Sequence, residues 1–163
     1  AVDASISPGG RIFVATRRKG VTVLNPDGTV ANVLTFPKEL GIDLPNQIAV
    51  DGSENLYIHE DRTGAVFKIG PKGNFLSKFG GRALPAKSGG NQLRFSGVSD
   101  LAVDSVGRVY VVETSSIKIV DGDGNPLDEF GTTQAFGIAL NDSDEVFVAS
   151  RPYFVKYTLR LNE

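Results

Sequence analysis

The sequence contains no cysteine, which excludes disulfides, thiolate nucleophiles and cysteine-ligated metals without fixing a redox compartment. A single histidine, His59, rules out sites that need several imidazoles. No apolar run approaches the roughly eighteen residues of a membrane-spanning helix. No segment carries a sustained helical apolar period, so little helix is expected. Charge of one sign is also missing: 17 Lys and Arg against 19 Asp and Glu give a net −2, with no global pull toward nucleic acid or a membrane. The first residue is Ala1 rather than Met. That start is consistent with signal-peptide removal, trimming or excision, and leans the compartment toward the cell exterior or periplasm.

What the sequence has instead is 19 Gly, 8 Pro and many Val and Ile, the makings of short strands and tight turns. Its 163 residues suffice for one domain, 1–163. Within it one unit recurs four times: A4-S-I-S-P-G-G-R-I-F-V14, I48-A-V-D-G-S-E-N-L-Y-I58, L101-A-V-D-S-V-G-R-V-Y-V111 and I138-A-L-N-D-S-D-E-V-F-V148. Each is an apolar strand, a polar turn and a second apolar strand, anchored on Phe13, Tyr57, Tyr110 and Phe147. The first three continue into a third strand, a turn (N25-P-D-G28, G70-P-K-G73, D121-G-D-G124) and a fourth strand. Four antiparallel strands per repeat of about forty residues is the signature of a propeller blade.

The expected fold is therefore all-β, a propeller of about four four-stranded antiparallel blades over 4–37, 47–80, 98–131 and 136–163. The last blade stops near the end of its third strand. Such an array reads as part of a larger propeller, as an oligomer that completes itself, or as a compact four-bladed closure. The φ-A-V-D start, the G-x-φ-Y-V second strand, the φ-x-φ-x-P-D-G hairpin and the closing F-G resemble the NHL repeat along essentially the whole chain. Ser7 and Asn141 depart from the Asp of the motif. The resemblance implies a fold far more than a function.

Candidate chemistry is sparse. Asp51 and Asp104 align with Asn141 and Ser7, a set that a turn tolerates and a catalytic acid does not. Tyr57 and Tyr110 exchange with Phe13 and Phe147, so their hydroxyls read as dispensable and their rings as core. D121-G-D-G-N125 begins like a calcium loop but has Pro126 where Gly is needed and Thr132 where Glu is needed, so it reads as a hairpin turn. His59 has no G-x-S-x-G elbow to serve. Propeller lyases similar to the peptidyl-hydroxyglycine type use several histidines on zinc. Calcium-dependent lactonases of related shape use Glu, Asn and Asp around a channel, whereas the inner strands here offer mainly Ala, Val, Ile and Leu. N141-D-S143 matches a glycosylation sequon at chance frequency. No catalytic residue, metal or cofactor is expected.

Strand order sorts the loops onto two faces. The face holding the fourth-to-first and second-to-third connections has nine cations (Arg17, Arg18, Lys19, Lys38, Arg62, Arg82, Lys87, Arg94, Arg151) against five anions (Glu39, Asp43, Glu60, Asp61, Glu113). The opposite face has three cations and nine anions. The expected function is a non-enzymatic binding or assembly scaffold. Its first face would meet a protein or peptide, acidic ones included, through Arg17, Arg18, Lys19, His59, Arg62, Arg94, Glu113, Arg151 and Tyr153. Nucleic acid is the weaker partner class, because the surplus of charge is small. The alternatives are part of a lactonase- or lyase-type enzyme, or a purely structural subunit of a larger complex.

Overall fold

The computed structural model describes residues 1–17, 20–82 and 93–158. Fifteen strands form four antiparallel meanders. Blade one is β1 (Asp3–Ile6), β2 (Ile12–Thr16), β3 (Gly20–Leu24) and β4 (Val30–Leu34). Blade two is β5 (Pro45–Val50), β6 (Leu56–Glu60), β7 (Ala65–Ile69) and β8 (Phe75–Gly80). Blade three is β9 (Val98–Val103), β10 (Val109–Glu113), β11 (Ser116–Val120) and β12 (Pro126–Gly131). Among the described residues blade four has three strands, β13 (Ala135–Leu140), β14 (Val146–Ser150) and β15 (Tyr153–Tyr157). The molecule is a four-bladed β-propeller with almost no helix, as the repeat implied. One short 3-10 turn, Lys38–Leu40, lies in the connection from blade one to blade two. Among the described residues no helix is long and apolar enough to cross a membrane.

The blades stack through their faces. Inner strand β1 packs on β5, β5 on β9, and β9 on β13. Among the described elements no packing of that extent joins the fourth blade to the first. Three apolar cores fill the three blade interfaces. Phe13, Ala15, Val21 and Val23 of blade one meet Ile48, Leu56, Ile58 and Ile69 of blade two. Ala49, Tyr57 and Val66 meet Leu101, Val109 and Val111, and Ala102, Tyr110 and Ile117 meet Val146 and Val148. Phe13, Tyr57 and Tyr110 therefore each face the following blade and are covered by its branched aliphatics. The period-two alternation of a strand puts both sets on one blade, on opposite sides.

The turns between first and second strands confirm the structural role of Asp51 and Asp104. The Oδ1 of Asp51 accepts from the Ser53 and Asn55 amides at 2.9 and 2.8 Å. That of Asp104 accepts from the Val106 and Arg108 amides at 3.2 and 2.8 Å. Asn141 accepts from Ser143 and Glu145 in the same way. The tyrosine hydroxyls are less idle than the sequence suggested. Tyr110 donates to Asp104 at 3.0 Å, and Tyr57 to Asp51 at 3.4 Å. Burial, then the nearby aspartate, pushes both phenols well above their ordinary range. Phenylalanine stands where the turn residue is Ser7 or Asn141 and cannot be a carboxylate. The two positions change together.

The turn at Asp121 closes on itself, its carboxylate accepting from the Asp123 and Asn125 amides and the Asn125 side chain. Those bonds hold its pKa below the ordinary value. Among the described residues no group of three His, Asp or Glu side chains is placed to hold a metal ion.

Candidate functional site

The face carrying the second-to-third and fourth-to-first connections is built on one position, the third residue after each anchor aromatic. Thr16, Glu60, Glu113 and Ser150 stand there. Glu60 accepts from the Leu44 amide at 3.2 Å and the Thr63 amide at 2.8 Å, tying the chain entering β5 to the β6–β7 turn. Glu113 accepts from the Ser96 amide and from the Ser96 hydroxyl at 2.7 Å, and is paired with the Lys118 ammonium. Ser150 donates to the Thr133 carbonyl at 2.7 Å, just ahead of β13. The ends of the second strands thus clamp the loops that form the face.

Glu60 and Glu113 are buried, and both are consumed by these loops. Burial pushes the Glu113 carboxyl up, but Lys118 and the two Ser96 donors outweigh it, and its pKa lies below the ordinary value. A buried, paired carboxylate of this kind shapes the face from beneath. The expectation that Glu113 contacts a partner is corrected by its burial: a loop position looks exposed when only its sequence neighbours are considered.

Above the clamps lie two clefts. One, of about 490 Å³, runs between blades two and three and is lined by His59, Asp61, Gly64, Arg82, Phe95 and Ser96, with Gly97 and Val98. The other, of about 470 Å³, lies between blades one and two, lined by Thr35, Phe36, Lys38, Ile42, Asp43 and Arg62 together with Gly20 and Leu44. His59 is 3% exposed, with its Nδ1 2.8 Å from the Gln47 side-chain oxygen. Burial lowers its pKa more than Asp61 and Glu60 raise it, so the ring is neutral at pH 7. Arg62 reaches Asp43 at 3.0 Å, and Arg82 donates to the Asp61 carbonyl at 2.7 Å with the carboxylate at 3.8 Å. Gly64 is obligatory there: its φ is +68°, and a Cβ would stand 2.7 Å from Arg82 Cγ.

The remaining expected residues are spread around this face. Arg17 is exposed beside the β2–β3 turn, while Arg18 and Lys19 lie outside the described residues. The Arg94 carbonyl accepts from Lys118 Nζ at 3.0 Å. Arg151 sits over the Phe136 ring at 6.0 Å, and Tyr153 is 72% exposed on blade four. The structure thus brings Arg62 and His59 to adjoining clefts and leaves Arg151 and Tyr153 on a different blade.

Sequence reading missed two inner-strand carboxylates. Asp3 accepts from the Ile48 amide at 2.7 Å, and Asp100 from the Ile138 amide at 2.8 Å, each latching its blade to the next. Burial raises the pKa of both despite these bonds, and Asp3 is close enough to raise that of Asp100 further. They share register positions opposite Ala15 and Val112, which was the available signal.

No protein-family model and no curated protein matches this chain. Solved structures do. A Bacteroides caccae protein of unknown function superposes with a TM-score of 0.64 and 17% identity, over 99% of this chain and 58% of its own. A gluconolactonase from Xanthomonas campestris gives 0.64 and 16%, over 93% and 54%. A catalytically inactive virginiamycin B lyase from Staphylococcus aureus, solved with quinupristin, gives 0.62 and 16%, over 95% and 54%. The likeness shows the fold alone. The chain spans a little over half the length of these propellers.

Proposed function

We propose that the chain is a binding scaffold of NHL-repeat type, whose clefted face takes an extended protein segment with acidic side chains. The observation that carries this reading is the pair of adjoining clefts, each edged by an exposed arginine, Arg62 or Arg82. Both arginines are anchored by a carboxylate yet two-thirds exposed, at 66% and 64% of the side chain. An anchored guanidinium keeps further donors for an incoming carboxylate, and its planar fork suits one. The half-buried Phe36 and Ile42 supply apolar contact, and buried Phe95 and His59 form the wall beneath the second cleft. Concave, mostly apolar surface with a few placed polar groups is the usual form of a binding site.

The test is capture of Glu- and Asp-rich peptides from an array by wild type and by the Arg62→Glu, Arg82→Glu double variant. Both positions are exposed, so folding should survive. A loss of capture of about tenfold or more is expected, each lost charged contact being worth about 1.5–3 kcal/mol. Unchanged capture contradicts the assignment of this face.

An enzymatic reading is favoured by one observation, the structural likeness to a gluconolactonase and a lyase. Among the described residues, Asp3, Asp100 and His59 are titratable groups near the inner strands that it could use, and they engage backbone amides and Gln47. Lactone hydrolysis by the purified chain, abolished in Asp100→Asn, would establish that reading over the scaffold.

A further inference from the structure

Among the described residues the first and last blades each leave one side uncovered, and the two sides are complementary halves of the interface the molecule already makes three times. In blade four, Phe147 and Phe154 stack at 6.1 Å on the side away from blade three. Ala139, Phe147 and Lys156 are aligned across its strands. That row repeats Ala49, Tyr57 and Lys68 of blade two, which are aligned in the same way. Lys156 lies over the Phe147 ring at 5.7 Å, as Lys68 lies over Tyr57 at 5.5 Å. In blade two that side is closed: Tyr57 is 1% exposed beneath blade three, and Lys68 reaches Asp123 of that blade at 3.9 Å. In blade four Phe154 is 70% exposed, and Lys156 pairs with Glu145 of its own blade.

Blade one presents the other half. Ile6, Ile12, Val14 and Leu24 occupy the register positions of Val50, Leu56, Ile58 and Ile69, the aliphatics with which blade two covers Phe13. They are not buried, and Ile6 is 65% exposed. Asp27 sits in the blade-one turn where blade three has Asp123. The chain therefore carries both an open aromatic side and the aliphatic side with its turn carboxylate that closes such a side elsewhere.

We propose that the blade-four side is covered by blade one of a second copy of this chain, head to tail. Phe147 and Phe154 then pack under Ile6, Ile12 and Val14, and Lys156 exchanges Glu145 for the partner copy's turn carboxylate. Two copies closing on each other place eight blades in one ring, at the upper end of known propeller sizes. A rotation that fails to close gives an open chain of copies through the same contact.

Sedimentation of the purified chain tests this with two single variants at exposed positions, Ile6→Asp and Phe154→Asp. Wild type is expected at twice the monomer mass or above, with mass rising with concentration. Each variant alone is expected as a folded monomer by circular dichroism. Mixing the two variants should restore association, because an intact blade-one side of one copy can still meet an intact blade-four side of the other. A monomeric wild type overturns the proposal. So does association that survives either substitution, or a mixture that stays monomeric.

Discussion

Glu113 illustrates how one residue fixes the shape of the clefted face without lying on it. Its carboxylate holds Ser96 from below and is paired with Lys118. Glu113→Gln keeps an acceptor but removes the charge, and should cost about 1–3 kcal/mol at pH 7. Its folded pKa is depressed, so its stabilisation is present above the unfolded carboxylate range and is lost as pH falls through the folded value. The stability gap between wild type and Glu113→Gln, measured by urea unfolding, should therefore shrink as pH is lowered below about 4. A gap independent of pH would mean that size rather than charge is what the site requires. Position 54 shows the same economy at the opposite end of the blade: Glu54 adopts a positive φ of 60°, where blade one has Gly10, and reaches back to Arg11 at 2.5 Å. Asp144, at φ 56°, likewise accepts from the Ser105 amide at 2.9 Å. A carboxylate in place of a turn glycine accepts local strain and gains a contact between blades.

At the scale of the hairpin and the blade, the repeat period, the strand order and the turn residues were legible in the sequence. They depend on side-chain alternation and turn chemistry within a few residues. The roles of Asp3, Asp100 and the Tyr–Asp pairs were not, because each involves a partner placed by the stacking of blades or by hairpin register. The same limit explains Glu113, whose burial comes from the loop folded over it. The turns between third and fourth strands separate local from tertiary demands. Gly28 and Gly124 both have positive φ, +84° and +89°. A Cβ on Gly28 would meet nothing within 4 Å, whereas one on Gly124 would stand 2.2 Å from the Cβ of Phe79 on the preceding blade. Gly28→Ala should cost only the backbone strain of about 1–2 kcal/mol. Gly124→Ala should cost clearly more, since Phe79 is buried and its Cβ cannot rotate away. Equal losses in thermal unfolding would show that the blade-two to blade-three contact at this corner yields easily.

Across the whole molecule, function is expected where the repeat breaks its own pattern. Blade interfaces are near copies of one another, but the clefts differ: His59 stands where the other blades have Ala15, Val112 and Ala149. Arg62 and Arg82 edge only the two clefts beside blade two. Among the described residues the clefted face carries Arg17, Lys38, Arg62, Arg82, Arg94 and Arg151 beside Glu39, Asp43, Glu60, Asp61 and Glu113, while the opposite face is made of acidic, self-satisfied turns. On the proposed reading, the acidic turns would disfavour approach of an acidic segment from the opposite face, and affinity would rest on the contacts within the clefts. The direct measurement is titration of a Glu-rich peptide into ¹⁵N-labelled protein. Amide shifts are predicted to concentrate at the cleft walls, at Leu44, Gly64, Ser96 and Gly97. Shifts centred on the opposite turns, at Gly52 and Gly107, or no shifts at all, would contradict the assignment of this face to binding.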